Sequence, residues 1–195
     1  MPIPGFDSNG HLPASSAFAE TDDDKPIPYG HPCSMEEVED RFVTAYTDSV
    51  TRAALFHRMR MLVTTAHEHL PCVLVIASGE FVTDTTDPHD IFIVLNVPAE
   101  DIEGLEGKTQ WLLDELFKDG EREFGDTDGL TVYTGIARAY PPGHHKFELG
   151  QAENRLQRFL ASSPADGAES TGYLEILVCE GGLKEIHEIL RPPAP

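Results

Sequence analysis

The sequence predicts an α/β protein of the α+β type, with a mixed sheet of about four to five strands flanked by helices. Two near-continuous apolar runs, residues 73–77 and 91–95, are typical of strands that are buried on both faces. Between residues 49 and 69, apolar side chains recur at helical spacing. A chain of 195 residues, 40% of them hydrophobic, can bury a sizeable core without covalent staples.

The first thirty-odd residues are rich in proline, glycine and small polar types. This composition predicts an extended N-terminal arm over residues 1–33, with Ile3, Phe6 and Leu12 packing onto the body of the protein. Residues 34–195 contain no internal repeat and no linker long enough to require a second domain. We therefore expect them to form a single domain.

Two helices are predicted after the arm. The first covers 35–46 and begins after Ser34, which forms a capping-box pattern with Glu37. The second covers 49–69, and its apolar stripe predicts a face that packs on the core. The stripe consists of Leu55, Phe56, Met59, Leu62, Val63 and Ala66.

Three arginines, Arg52, Arg58 and Arg60, concentrate positive charge on the second helix of an otherwise acidic protein. They would suit a phosphate group. Solvated helix charges or pairs with nearby acids are the favoured interpretation, because exposed ion pairs of this kind are common and weak.

The rest of the chain alternates between predicted helices and strands. Helices are predicted at 109–123, 146–160 and 183–190, and strands at 130–139 and 173–178. The first of these helices would turn its apolar residues inward, namely Trp111, Leu112, Leu113, Leu116 and Phe117. In the strand at 130–139, Leu130, Val132 and Ile136 would share one face.

The segment between the two central strands resembles the active-site segment of nucleotidyltransferases. That pattern has a Gly-Ser turn after a buried strand and then two acids at alternate positions of the next strand, where their side chains converge on the same divalent ions. Here Gly79 keeps the turn, and Asp90 keeps the first acidic position. Glu80 replaces the serine, and Phe92 replaces the second acid.

The resemblance implies a set of site residues. Asp90 and Glu80 are the candidates for residual catalysis, and Gly79, Glu80 and Phe81 are the candidates for contact with a nucleotide. Asp90, Glu80 and Asp87 are the candidate metal ligands. No cofactor is expected, because a single aspartate is a poor platform for two metal ions; Mg²⁺ would be required if the protein were active.

Asp84 is a further substitute ligand if the loop folds back. The competing interpretation is that Asp84 and Asp87 are turn formers beside Pro88, since aspartate suits turn backbone.

The similarity extends over most of the chain. Its order of motifs resembles an uncharacterised bacterial and phage family of small nucleotidyltransferase-like proteins, which begin with a Pro-Phe-Asp-x-x-Gly-x-Leu-Pro element. The matching segments are 3–13, 31–42, 79–90 and 140–144. Membership implies a nucleotidyltransferase fold and a reaction class rather than a known substrate. The chain departs from the pattern at Glu80 and Phe92 and carries an acidic insert around 19–25.

The amino-acid composition limits the kinds of binding partner that we expect. The formal charge of −20 disfavours direct binding to nucleic acid or to an anionic membrane, because such binding relies on lysine and arginine. The same charge suits a protein partner with a basic surface, and it equally serves solubility. Cys33, Cys72 and Cys179 show no paired spacing, so we expect reduced thiols. No leader or membrane-spanning run is visible, and a cytoplasmic location is expected.

Paired histidines offer only a weak metal pattern. His67 and His69 lie two residues apart on a predicted helix and do not share a face. His144 and His145 lack further ligands at motif spacing. We interpret these histidines as surface or core hydrogen-bonding groups.

Three functions are compatible with the sequence. The favoured one is a catalytically degenerate nucleotidyltransferase fold that acts as a binding or regulatory protein, in the phage and mobile-element conflict systems where such families occur. The second is an active, magnesium-dependent nucleotidyltransferase that modifies protein or RNA. The third is an acidic mimic of nucleic acid that inhibits a basic partner.

Overall fold

A computed structural model of the chain describes residues 3–15, 18–19, 27–116, 120–123, 130–140, 143–146, 150 and 171–179. Its strands are β1 (Phe18–Ala19), β2 (Ile27–Pro28), β3 (His31–Cys33), β4 (Cys72–Ser78), β5 (Asp90–Pro98), β6 (Gly120–Glu123), β7 (Thr131–Ala139) and β8 (Leu174–Cys179). Its α-helices are α1 (Met35–Glu39), α2 (Arg52–His67), α3 (Ala99–Glu103) and α4 (Gly107–Leu116). A π-helical turn covers Asp40–Thr44, and a 3₁₀ turn covers Glu80–Val82.

Within the described residues, the main sheet has six strands in the order β3-β8-β4-β5-β7-β6. The pairs β3–β8 and β5–β7 are parallel, and the other pairs are antiparallel. The predicted mixed sheet of an α+β protein is therefore confirmed. The expected count of four to five strands falls short because the short edge strands β3 and β6 carry little apolar pattern.

The central strands are buried on both faces, as predicted. Every residue of β4 from Val73 to Ser78 is buried, and β5 is buried from Ile91 to Val97 except at Phe92. One face of the sheet packs on α2, whose predicted apolar stripe is buried in full. Burial of this kind stabilises the fold by about 1.5–3 kcal/mol for each large apolar side chain.

Helix α1 begins as the sequence predicts. Ser34 caps it: the Ser34 side chain accepts from the Glu37 backbone N–H, and the Glu37 carboxylate accepts from the Ser34 N–H at 2.9 Å. The helix then changes to the π-helical turn at Asp40, so the predicted helix over 35–46 is irregular in its second half.

The predicted helix over 109–123 is wrong in two respects. The helix α4 ends at Leu116, and β6 begins at Gly120 and pairs with β7. Trp111, predicted to face inward, is 64% exposed, whereas Leu113 is buried. The predicted helices over 146–160 and 183–190 lie outside the described residues, apart from residues 146 and 150. Within the described residues, no helix is both long and apolar enough to span a bilayer.

The described residues of the N-terminal arm contact the body of the protein, and its last three form β3 of the main sheet. Leu12 is buried, and Ile3 and Phe6 contact the core. Backbone hydrogen bonds fix the arm at two places: Gly172 N–H donates to Leu12 O at 2.6 Å, and Asp84 N–H donates to Gly10 O at 2.8 Å. The arm therefore joins β8 to the loop that follows β4.

Cys72 and Cys179 face each other across β4 and β8, with their Cα atoms 4.5 Å apart, and form a disulfide. The expectation of reduced thiols is wrong for this pair, because the pairing of two strands 107 residues apart leaves no trace in cysteine spacing. Cys33 is free and buried. Burial raises the pKa of its thiol to about 12, so it stays protonated at neutral pH.

Arg52 contradicts the interpretation of the helix arginines as solvated charges or phosphate ligands. Its side chain is fully buried at the start of α2. Its two terminal nitrogens donate to four backbone carbonyls, those of Phe42, Phe81, Thr83 and Thr85, at 2.5–3.2 Å. The guanidinium also lies 3.9 Å from the centroid of the Tyr46 ring. A buried charge is stable here because backbone dipoles replace its hydration.

The double variant Cys72→Ser, Cys179→Ser is expected to lose about 4–5 kcal/mol of unfolding free energy, because the disulfide closes a loop of about one hundred residues in the unfolded chain. Urea denaturation under oxidising conditions measures this loss. A reductant should lower the stability of the wild type and leave that of the double variant unchanged. Alkylation of three cysteines in the unfolded, unreduced protein would contradict the disulfide.

Arg52→Ala is expected to destabilise the protein by at least about 3 kcal/mol, because it leaves several buried carbonyls without donors. Arg52→Lys should recover only part of the loss, since an ammonium group does not reproduce the planar fork. Urea denaturation of Arg60→Ala is the control; Arg60 is exposed on the same helix and should change stability by less than about 0.5 kcal/mol. Equal effects of the two alanine variants would contradict the stabilising role of Arg52.

Candidate functional site

The candidate site is built around the turn at Gly79, directly after β4. Gly79 has φ of 88°, in the left-handed region that favours glycine. A Cβ atom at this position would collide with Asp90 Oδ1 and would lie 2.9 Å from Phe92 Cδ2. The absence of a side chain at Gly79 therefore allows the Asp90 carboxylate and the Phe92 ring to lie together over the turn.

Asp90 and Glu80 are brought together by the loop that connects β4 to β5. The backbone N–H of Glu80 donates to Asp90 Oδ1 at 2.8 Å, and the backbone N–H of His89 donates to Glu80 Oε2 at 2.8 Å. Each carboxylate thus holds one end of the same connection, residues 79–89. The two ends of the loop are thus joined by hydrogen bonds between backbone N–H groups and the carboxylates of Glu80 and Asp90.

Burial raises the pKa of Asp90, and the negative charge of Glu80 raises it further. The hydrogen bond from Glu80 N–H and the charge of His89 act in the opposite direction, but burial dominates. The site therefore holds a half-buried carboxylate beside a second one.

Phe92 occupies the second position of the acidic pattern. Its ring is 39% exposed and stacks on the ring of Tyr133, with centroids 4.3 Å apart and planes 13° apart. The parallel register of β5 and β7 produces this contact, because it pairs Phe92 with Tyr133 and Asp90 with Thr131. The neighbouring strand therefore supplies an aromatic ring, that of Tyr133, beside Phe92.

Asp87 points toward the start of α2. Its Oδ1 accepts from Val50 N–H at 2.8 Å and from Ser49 Oγ at 3.1 Å, and the bond to Val50 N–H is the main reason that its pKa is lowered. No hydrogen bond among the described residues joins Asp87 to Asp90 or Glu80. The structure thus brings two of the three predicted metal ligands together and uses the third to fix the loop to the helix.

Asp84 and Phe81 also have structural contacts. The Asp84 carboxylate lies against Gly10, whose φ of 77° leaves room for it. Phe81, predicted to contact a nucleotide, is fully buried and packs on Phe42 with ring centroids 5.7 Å apart. In the described part of the chain, no group of three or more histidine, cysteine or acidic side chains could hold a metal ion.

Three of the histidines outside this loop, His67, His144 and His145, make local contacts. His144 stacks on Tyr140 at 4.9 Å and lies 4.4 Å from the His145 ring. A ring nitrogen of His67 lies 3.2 Å from Leu70 O, just after α2. These contacts agree with the interpretation of the histidines as hydrogen-bonding and packing groups.

Sequence reasoning missed Tyr133 as a site residue. The predicted strand at 130–139 was assigned one apolar face through Val132 and Ile136, and Tyr133 lies on the opposite face. Recognising it needed the pairing of this strand with β5, which the order of strands along the chain does not reveal.

A family of unknown function, DUF6932, matches residues 4–176. The chain belongs to this family. The family match contains the arm, the Gly79 turn and the strands β4, β5 and β7, so the whole candidate site lies inside it. No curated protein and no solved structure shows significant similarity to the chain.

Because the pKa of Asp90 is raised in the folded state, this group makes the free energy of unfolding depend on pH. Its stabilising contribution is present below the ordinary aspartate pKa of 3.8 and is lost as pH rises through the raised pKa of the folded state. Asp90→Asn should remove this slope in urea denaturation measured across the same window. Asp87→Asn should act with the opposite sign, because the pKa of Asp87 is lowered. An NMR titration that places Asp90 at or below the ordinary value would contradict the expectation.

Proposed function

We propose that this protein is a catalytically degenerate, nucleotidyltransferase-like scaffold that acts as a binding or regulatory module for a protein with a basic surface. The observation that carries the proposal is the Phe92 ring, which lies beside Asp90 and stacks on Tyr133. The biological setting that we propose is conflict between hosts, phages and mobile elements, which the family resemblance implies.

The proposal is supported first by the missing second ligand. The nucleotidyltransferase pattern places two carboxylates at alternate positions of one strand, so that both reach the same metal ions. Asp90 supplies the first, but a phenyl ring at residue 92 supplies no oxygen, and Mg²⁺ requires oxygen ligands in octahedral geometry. Asp90 alone would hold the metal weakly.

Glu80 provides the second support. In the nucleotidyltransferase pattern, the turn after the strand approaches the phosphates of the nucleotide. Here the Glu80 N–H is already bound to Asp90 Oδ1, and the Glu80 carboxylate adds negative charge. Two like charges 4 Å apart repel by about 4 kcal/mol at a half-buried site. A triphosphate is therefore disfavoured at this turn.

The overall charge provides the third support. The chain has 34 acidic residues against 14 lysines and arginines. This imbalance disfavours a nucleic-acid substrate and increases the association rate with a basic protein. The charge of the surface therefore favours a protein partner over a nucleic acid.

One observation favours a second candidate function, an active magnesium-dependent nucleotidyltransferase. Glu80 lies close enough to Asp90 for its charge to raise the pKa of Asp90. Such a pair would hold a divalent cation if the Glu80 side chain left His89 N–H. The product would be a nucleotide attached to protein or RNA.

Incubation with each labelled nucleoside triphosphate and Mg²⁺ or Mn²⁺ separates the two candidates. We expect no labelling of the protein or of added RNA, because the metal lacks a second ligand. Mass spectrometry and gel autoradiography of the wild type and of Asp90→Ala measure the result. Labelling by the wild type that disappears in Asp90→Ala would contradict the proposal.

A variant that gains metal binding would also test whether Phe92 excludes the metal ion. Phe92→Asp restores the second acid and should bind Mn²⁺ more tightly than the wild type, as measured by the paramagnetic resonance of free Mn²⁺. Trp111→Asp is the matched control, because it adds the same charge at an exposed aromatic residue of α4. Equal Mn²⁺ affinity in the wild type and in Phe92→Asp would show that Phe92 does not exclude the metal.

A further inference from the structure

Phe92 is the exposed exception in a buried strand. The residues on either side of it, Ile91 and Ile93, are fully buried, whereas the Phe92 ring is 39% exposed. Single exposed apolar side chains are common and need no explanation. This one differs because it is already stacked on a second ring and has a carboxylate beside it.

We infer that the Phe92–Tyr133 stack and the Asp90 carboxylate form the anchor point for an arginine side chain of a basic protein partner. This inference rests on the proposed function and deepens it, because it names the group that the module recognises. The anchor is defined here as Phe92, Tyr133 and Asp90.

The two rings select for a planar cation. They are nearly parallel, so a guanidinium group that lies on the exposed part of Phe92 would continue the stack. Cations are attracted to the face of an aromatic ring within about 6 Å of its centroid. Arginine is preferred over lysine because its planar group stacks on rings and also donates two parallel hydrogen bonds to a carboxylate.

Asp90 supplies the carboxylate. One of its oxygens, Oδ1, accepts from Glu80 N–H, and none of the described residues donates a hydrogen bond to the other. The Asp90 carboxylate and the Phe92 ring share a position over Gly79, where Asp90 Oδ1 and Phe92 Cδ2 approach the turn, so the carboxylate lies next to the ring. A guanidinium on Phe92 would therefore lie close to a carboxylate acceptor.

No lysine or arginine among the described residues forms an ion pair with the anchor. The ion pairs within the described ranges join Arg138 to Asp114 and Lys146 to Glu103. Arg52 is buried and is bound to backbone carbonyls. The negative charge of Asp90 and Glu80 is thus available to a cation from outside, in agreement with the formal charge of −20.

A nucleotide base would also stack on Phe92, but its phosphates would meet the carboxylates of Glu80 and Asp90. A protein partner brings cationic side chains without phosphate. Charge complementarity therefore favours an arginine-containing protein segment as the occupant.

The test uses the full chain and two labelled probes, hexa-arginine and hexa-lysine peptides, with fluorescence polarisation at low ionic strength. We expect tighter binding of hexa-arginine, and we expect Phe92→Ala to weaken it by about tenfold. Phe92→Tyr should retain binding. Trp111→Ala is the matched control: it removes an exposed aromatic residue from α4 and should leave affinity unchanged. Circular dichroism checks that each variant is folded.

The carboxylate is tested in the same assay. Asp90→Asn should weaken hexa-arginine binding severalfold, whereas Glu100→Gln, which removes one charge at an exposed residue of α3, should not. In a second measurement, methylguanidinium ion should shift the NMR resonances of the Phe92 and Tyr133 rings more than methylammonium ion does. This localises the cation to the anchor.

Several outcomes would overturn the inference: equal affinity for the two peptides, equal affinity of Phe92→Ala and Trp111→Ala, or binding of labelled ATP to the protein that Phe92→Ala abolishes. The last would identify the occupant as a nucleotide. Failure of the proposed function is a separate result, since it would appear as nucleotide transfer in the labelling assay. If Phe92→Ala left peptide affinity unchanged and no nucleotide labelling were seen, the anchor would be rejected and the proposed function would not be.

Discussion

The buried guanidinium of Arg52 is the interaction on which the rest of the site depends. It connects three segments through backbone carbonyls: the π-helical turn at Phe42, the 3₁₀ turn at Phe81, and the loop at Thr83 and Thr85. An apolar residue would leave these carbonyls without donors in the interior. The path of the chain between β4 and β5 is therefore set by one side chain of α2, and the positions of Glu80 and Asp90 follow from it.

The other contacts of this loop explain why its polar residues need not be catalytic. The arm holds Asp84 through Gly10, and Asp87 caps the entry to α2 through Val50. Phe81 fills the core beneath the turn. The acidic residues and glycines that stand out in the sequence between the two buried strands thus hold the loop between β4 and β5 in place. Gly79, Glu80, Asp90 and Phe92 then remain as the exposed or half-buried part, which is where a ligand would bind.

The sequence predicted the fold wherever a local pattern was sufficient. The apolar runs gave β4 and β5, the helical stripe gave α2, and the Ser34 cap gave the start of α1. It failed where the answer lay in contacts between distant segments. The burial of Arg52 depends on four carbonyls from other elements, and the bond between Cys72 and Cys179 depends on strand register. The proximity of Asp90 and Phe92 followed from strand alternation, but the stack on Tyr133 required knowledge of which strand lies beside β5.

The structure also gives Asp90 a role that does not involve a metal. Its Oδ1 accepts from Glu80 N–H and so joins the first residue of β5 to the turn after β4. Glu80 completes the closure by accepting from His89 N–H. An aspartate at the first acidic position is therefore useful even when the second position is aromatic, because it shapes the turn. In the scaffold that we propose, Asp90 would therefore shape the loop beside Phe92 without holding a metal ion.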